Sequence, residues 1–230
     1  MIFDPLYMMM ILPAVVLSLL AQVWVRATYK KYVRIPTRRG LSGRDVALEI
    51  LQAQGITDVE VEMSRGFLSD HYAPTQKKLR LSPQVYQGNS IVSAGIAAHE
   101  VGHAIQHQQA YKPLVLRNAI VPVASLGSRL AWLLLIIGFV MQSMGMIKLG
   151  VIFFSTVVLF QVLTLPVEFN ASLRAQRVLA ERHILGEDEL AGTRRVLTAA
   201  AMTYVAAAAM AVLQLLYFLL RAGLLGGGDD

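Results

Sequence analysis

The chain has 230 residues, of which 55% are hydrophobic, with no cysteine and a formal net charge of +6. One soluble domain of this length does not need so much apolar surface, so part of that surface is expected to face lipid. The lack of cysteine excludes disulfides and thiolate metal ligands. The positive charge lies in clusters beside apolar runs, which favours membrane anchoring over nucleic-acid binding.

Four charge-free runs are long enough to cross a hydrocarbon layer of about 30 Å as helices. The first, Pro5–Val25, starts after Asp4 and lacks the basic start and cleavage site of a signal peptide, so we expect a retained anchor. The other runs are Leu130–Ile147, Leu149–Val167 and Val196–Leu220. Only Lys148 separates the second run from the third, with Gly145 and Gly150 nearby. This pattern predicts a transmembrane hairpin with a tight turn there.

Basic residues gather at one end of these runs. They follow the first run and lie between the third and the fourth: Arg26, Lys30, Lys31, Arg34, Arg38, Arg39, Arg174, Arg177, Arg182, Arg194 and Arg195. The opposite ends carry only Lys148 and Arg221. By the positive-inside rule, the basic side is expected to be cytoplasmic and both termini to lie outside.

The region from about Arg34 to Gln109 has the mixed pattern of a soluble α/β domain. Ser42 is expected to cap a helix that ends at Gly55. The predicted buried stripe of that helix consists of Val46, Ala47, Ile50 and Leu51. A second helix is expected to start after Asn89 or Ser90 and to reach about Gln109.

Strands are predicted between these two helices. Apolar residues alternate with Glu60 and Glu62, at Val59, Val61 and Met63. The segments Phe67–Tyr72 and Lys78–Leu81 flank Pro74, which predicts a hairpin or an edge pair.

The second of these helices carries His99, Glu100 and His103 in the pattern H-E-x-x-H. Four residues make about one helical turn, so both imidazoles project from one face and can bind a single Zn²⁺. Glu100 is placed to act as general base toward a zinc-activated water. Gly102, without a side chain, permits close approach of another backbone. The alternative is a helix that carries two histidines and an acid by chance.

A catalytic zinc needs a third protein ligand, and Glu168 is the best candidate. It directly follows the third apolar run, where a carboxylate is costly unless it is paired or metal-bound. The alternative is an interfacial acid that pairs with Arg174 or Arg177. His107 is too far along the helix from His99, about 12 Å, to share one tetrahedral ion. It is expected to be a polar residue near the site, and the metzincin pattern does not fit.

Four segments together resemble the membrane-bound neutral zinc metallopeptidases of the YugP type, a bacterial group of gluzincin-like peptidases. They are AAHEVGHAIQH at Ala97–His107, LPVEFNAS at Leu165–Ser172, LSDHYAP at Leu68–Pro74 and AMTYVAAA at Ala201–Ala208. The resemblance covers nearly the whole chain. It implies one Zn²⁺ on His99, His103 and Glu168, with Glu100 as the base.

The chain departs from the family's usual pattern at two positions. Gluzincin relatives commonly have an acid four residues after the glutamate ligand, where this chain has Ser172. Asp70 is therefore a candidate for orienting a zinc histidine, and Ser172 is itself a candidate for a place beside the zinc ligands or the substrate. An aspartate often follows the tyrosine of the LSDHY segment, where this chain has Ala73. His71 is a candidate for substrate binding at an edge strand, or an ordinary loop residue. Tyr204 is a candidate oxyanion donor, or an interfacial anchor.

We therefore expect a mainly α membrane protein with four transmembrane helices and a small α/β cytoplasmic zincin-like domain. The expected segments are a first span at 5–26, the α/β domain at 27–118, the hairpin at 119–168, a cytoplasmic helical segment at 169–195, a fourth span at 196–221 and a flexible tail at 222–230.

The expected function is that of a zinc endopeptidase in the bacterial plasma membrane, acting on membrane or membrane-adjacent proteins, with regulatory membrane proteins or further copies of the chain as additional partners. The first alternative is a non-catalytic membrane scaffold or quality-control adaptor with a structural zinc closed by a fourth ligand, such as His71 or Asp70. A transporter is weaker, since the runs lack buried charges near their midpoints.

Overall fold

In a computed structural model that describes residues 4–225, the chain is mainly helical. The elements are α1 Pro5–Tyr32, α2 Gly43–Ala53, β1 Glu60–Met63, β2 His71–Ala73, β3 Lys78–Leu81, α3 Pro83–Gln87, α4 Ile91–Gln108, α5 Lys112–Val140, α6 Met144–Glu181 and α7 Glu187–Arg221. Four of these helices, α1, α5, α6 and α7, are long and apolar enough to cross a membrane. The expected four long apolar helices and small α/β part are confirmed, whereas the cytoplasmic placement stays a prediction.

The chain divides into two compact units. The first comprises the described residues of Met1–Ala21, Val115–Leu165 and Thr203–Asp230. Its buried side chains include Leu135, Phe154, Tyr217 and Phe218, which come from three different helices. Large apolar side chains such as Leu133, Ile136 and Ile152 remain more than half exposed, as expected for helices that face lipid.

The turn between α5 and α6 corrects the sequence expectation. It lies at residues 141–143, where Gln142 has a φ of 53°, while Lys148 is an interior residue of α6. One lysine does not interrupt a helix, because its long side chain can carry the charge away from the apolar surface. A Cβ on Gly150 would lie 2.8 Å from the Leu135 side chain, so this glycine permits helix packing and makes no turn.

The second unit comprises Gln22–Leu114 and Pro166–Met202. It therefore combines the expected α/β domain with the last turns of α6 and the first turns of α7. Its core contains α2 residues such as Ile50, β3 residues such as Leu79, α4 residues such as Val101 and α6 residues such as Leu179. The expected cap of α2 is confirmed, since Ser42 accepts a hydrogen bond from the Asp45 N–H at 3.1 Å.

The sheet has the strand order β1–β3–β2. β1 pairs with β3 in parallel, and β2 pairs with β3 in antiparallel register with His71 opposite Arg80. The predicted pairing around Pro74 is confirmed, although β2 is shorter than the predicted segment. β1 and β2 are both edge strands of this sheet.

The ends of the expected segments differ from the helix ends. α1 continues past Arg26 to Tyr32, and α7 already begins at Glu187, so both helices extend beyond their apolar runs. Of the expected flexible tail, residues 226–230 lie outside the described part of the chain. The expected segment boundaries remain predictions.

Candidate metal centre

Helix α4 presents the two histidines of the H-E-x-x-H pattern side by side. Its cap is Ser90, whose hydroxyl accepts a hydrogen bond from the Ser93 N–H at 3.1 Å. This fixes the start of the helix one residue after the cap. The rings of His99 and His103 then lie with centroids 4.8 Å apart and planes at 85°.

Glu168 on α6 meets both imidazoles with one oxygen. Its Oε2 lies 3.2 Å from Nε2 of His99 and 3.7 Å from Nε2 of His103. Its side chain is buried, and its ion pairs are with these histidines, whereas Arg174 donates instead to Asn170 and Gln109. The structure thus brings together the three ligands proposed from the sequence, with one ligand atom of each within 4.8 Å of the others.

The close crossing of α4 and α6 at Gly102 brings these side chains together. A Cβ built on Gly102 would lie 2.6 Å from the carbonyl oxygen of Ala171, a distance that real Cβ atoms essentially never show. The predicted close backbone approach at this glycine is confirmed. Glu168 lies about one helical turn before Ala171, so the crossing holds its carboxylate beside α4.

Gln106 orients His103, and the sequence reasoning did not identify this residue. Its Nε2 donates to the carbonyl of Val167 at 2.8 Å and to Oδ1 of Asn170 at 3.0 Å. Its Oε1 therefore faces His103, 3.0 Å from Nδ1, and accepts the proton of that nitrogen. The signal available in the sequence is a glutamine three positions after a proposed ligand, and therefore on the same face of the helix.

Ser172 lies in the corresponding place beside His99. Its hydroxyl is 3.1 Å from Nδ1 of His99. The Nδ1 atoms of both histidines are thus engaged by neutral partners, while both Nε2 atoms point toward Glu168. This is the arrangement that zinc ligation through Nε2 requires. Two imidazole nitrogens and one carboxylate oxygen form the donor set of many catalytic zinc sites.

His103 and Glu168 each stabilise the charged form of the other. Burial alone would lower the pKa of His103, but hydrogen bonding to Glu168 and the charges of Glu100 and Glu168 outweigh it and raise that pKa. Burial alone would raise the pKa of Glu168, which follows the apolar run, but hydrogen bonds and charge from His103 and His99 hold that pKa well below its usual range. Glu168 is therefore ionised at neutral pH, as a metal ligand must be.

Glu100 is close enough to His103 to affect its pKa, and only 9% of its surface is exposed. Among the described residues, its carboxylate has no hydrogen bond or ion pair. A nearly buried carboxylate without a protein partner is available to accept a proton from water.

The remaining candidates from the sequence lie elsewhere. Asp70 accepts hydrogen bonds from the backbone N–H and hydroxyl of Ser82, and Nδ1 of His71 lies 2.8 Å from the Ser69 carbonyl. The hydroxyl of Tyr72 is 2.8 Å from Nδ1 of His107, and both residues line a cavity of about 230 Å³. Tyr204 lies on α7 in the first unit. The roles expected for these residues stay predictions.

Comparison with known proteins gives the family. The chain belongs to a family described as "Putative neutral zinc metallopeptidase", whose model matches residues 7–223. The chain is also 44% identical over 225 residues to "Putative membrane protease YugP" of Bacillus subtilis (strain 168), covering 98% of this chain and 99% of that protein. No solved structure matches the chain. These findings confirm the resemblance drawn from the sequence motifs and support zinc as the metal.

Proposed function

We propose that this chain is an integral membrane zinc endopeptidase that hydrolyses peptide bonds in membrane or membrane-adjacent proteins. The observation that carries the proposal is the orientation of two imidazoles. Nε2 of His99 and of His103 both face Oε2 of Glu168, while their Nδ1 atoms are engaged by Ser172 and Gln106. Three convergent ligand atoms leave one position of a tetrahedral ion open for water or substrate.

His99, His103 and Glu168 would hold the zinc ion, which would supply a Lewis acid for the substrate carbonyl and lower the pKa of a water molecule to near 7. Glu100 takes the proton of the water as its oxygen attacks the carbonyl carbon. The same carboxylic acid then protonates the amine nitrogen as the C–N bond breaks. Glu100 is nearly buried, and electrostatic interactions of a carboxylate are stronger where bulk water is excluded.

A closed structural zinc site, as in the scaffold alternative, needs a fourth protein ligand. Among the described residues, the group that can hold a metal consists of His99, His103 and Glu168. Asp70 and His71, the expected fourth ligands, are instead engaged by Ser82 and Ser69. The open position favours catalysis over a structural role.

Two features near the centre fit an extended peptide. Strand β2 is an edge strand, so its free backbone groups can pair with a substrate strand, and its Tyr72 touches His107 of α4. A cavity of about 190 Å³ beside Ser172 has apolar lining residues that include Phe169 and Leu197. We infer that this cavity receives an apolar side chain of the substrate.

The active site is proposed to lie on the cytoplasmic side. The second unit, which contains the metal centre, also contains nearly all of the basic residues that flank the apolar runs. Membrane proteins retain such residues in the cytoplasm.

The decisive test is Glu100→Gln. Loss of the general base is expected to reduce turnover about 10²-fold or more while the zinc content stays at one ion per chain. Turnover is measured as the hydrolysis of a quenched fluorescent peptide library by purified protein in detergent. Zinc content is measured by elemental analysis. Glu181→Gln, at the exposed end of α6, serves as control and should keep full activity. Unchanged peptidase activity in Glu100→Gln would refute this mechanism.

A further inference from the structure

A cleft at the end of α1 carries positive charge that the proposed peptidase chemistry does not use. Its volume is about 390 Å³, and its lining residues are Trp24, Ala27, Thr28, Lys31, Tyr32 and Arg195. All six belong to the second unit, and α1 and α7 supply them. The cleft thus combines two cations with two aromatic rings.

Tyr32 orders both cations. Arg195 donates through Nη1 to the Tyr32 hydroxyl at 3.2 Å, and Nζ of Lys31 lies 5.2 Å from the centroid of the Tyr32 ring. The ring itself is fixed, because a Cβ on Gly192 would lie only 2.9 Å from its Cε1 atom. Within residues 4–225, neither Lys31 nor Arg195 has a carboxylate partner. Two positive charges therefore line one cleft without an anion between them.

The position of these residues along their helices corresponds to the headgroup layer. The apolar run of α1 ends at Val25, about 9 Å along the axis before Lys31, and that of α7 begins directly after Arg195. Helical side chains lean toward the helix N-terminus. The Lys31 side chain therefore points back toward the apolar run of α1, and the Arg195 side chain points away from the apolar run of α7. Both charged groups consequently lie at a similar depth, near the ends of the two apolar runs. Trp24 is typical of the membrane–water interface.

We propose that this cleft binds the phosphate of an anionic glycerophospholipid, with Lys31 and Arg195 on the phosphate oxygens and Trp24 beside the glycerol and upper acyl chain. Two adjacent cations repel the choline of a zwitterionic lipid but not an uncharged headgroup. The site depends on the proposed membrane insertion and does not depend on catalysis.

Native mass spectrometry of detergent-purified protein tests the site, with phosphatidylglycerol and phosphatidylcholine offered in equal amounts. We expect the native chain to retain one phosphatidylglycerol in preference to phosphatidylcholine. The preference should fall roughly tenfold in Lys31→Gln/Arg195→Gln, because the two charges that repel the choline group are lost. The conservative double variant Lys31→Arg/Arg195→Lys should retain it.

Lys30→Gln/Arg34→Gln is the matched control, since it also removes two positive charges, at and just after the end of α1, without touching the cleft. Equal loss of preference in this control would overturn the proposal in favour of diffuse charge attraction. Displacement of the lipid by inorganic phosphate at low millimolar concentration would overturn the lipid as the ligand. Zinc content measured on the same samples separates the two proposals, because it should be unchanged in every variant.

Discussion

Gln106 connects the two helices of the metal centre through one buried amide. It receives the Nδ1 proton of His103 and donates to α6 at Val167 and Asn170, on both sides of Glu168. One side chain therefore positions a ligand on its own helix and the backbone next to a ligand on another.

Replacing Gln106 by Met keeps the volume but removes all three hydrogen bonds. We expect zinc affinity to fall about 10–100-fold, the usual effect of losing a residue that orients a ligand. Competition with a fluorescent chelator measures the affinity. Gln108→Met, on the exposed side of the same turn, is the control and should bind zinc like the native chain. Equal affinity in all three proteins would contradict this role.

Ser172 makes the equivalent contact to His99 with a hydroxyl, at the position where the gluzincin resemblance implies an acid. Ser172→Ala is expected to weaken zinc binding about tenfold, because Nδ1 of His99 loses its partner. Ser172→Asp should restore or strengthen binding, since a carboxylate accepts the same proton. Isothermal titration with zinc compares the variants. Stronger binding by the alanine variant than by the aspartate variant would be incompatible with an orienting role.

For individual residues, the sequence predicts chemistry that depends on near neighbours in the chain better than contacts between distant segments. His99 and His103 follow from one turn of helix, and Glu168 was proposed because a carboxylate there is costly. The contacts of Ser172 and Gln106 depend on how two helices cross, and periodicity does not encode that crossing. Asp70 accepts a hydrogen bond from Ser82, and its expected role in orienting a histidine stays a prediction.

At the scale of elements, the crossing of α4 and α6 sets the geometry of the centre. Helix starts were predicted well where a side chain caps them, as at Ser42 and Ser90, because capping is local. The sequence pattern misplaces the turn between α5 and α6, because one lysine in an apolar stretch resembles a boundary between two helices. Glycines near that point allow packing between helices, which a sequence pattern does not distinguish from a turn.

Gly102→Ala is expected to lower the free energy of unfolding by about 1–3 kcal/mol, because the new methyl group would overlap the Ala171 carbonyl. Zinc content should fall with it. Gly145→Ala is a matched control, since nothing lies within 4 Å of a Cβ there and alanine favours helix. Thermal unfolding in detergent measures the stability of both variants. A native melting temperature in Gly102→Ala would show that α6 can shift without cost.

At the scale of the whole molecule, the absence of cysteine allows the proposed topology to be tested cleanly. Thr75→Cys, in the second unit, should react with a membrane-impermeant maleimide only after cells are opened. Met141→Cys, at the exposed turn before α6, should react in intact cells. The opposite labelling pattern would place the metal centre outside the cytoplasm.

Pro166 has a consequence for how the protein responds to its bilayer. It lies within α6 near the end of the apolar run, where its missing N–H removes one backbone hydrogen bond just before Glu168, so the helix can bend there more easily. The contact at Gly102 anchors α6 beyond this point. We therefore expect changes in acyl-chain length to tilt the lipid-facing part of α6 while leaving the ligand spacing unchanged. Zinc retention should accordingly be similar in thin and thick bilayers.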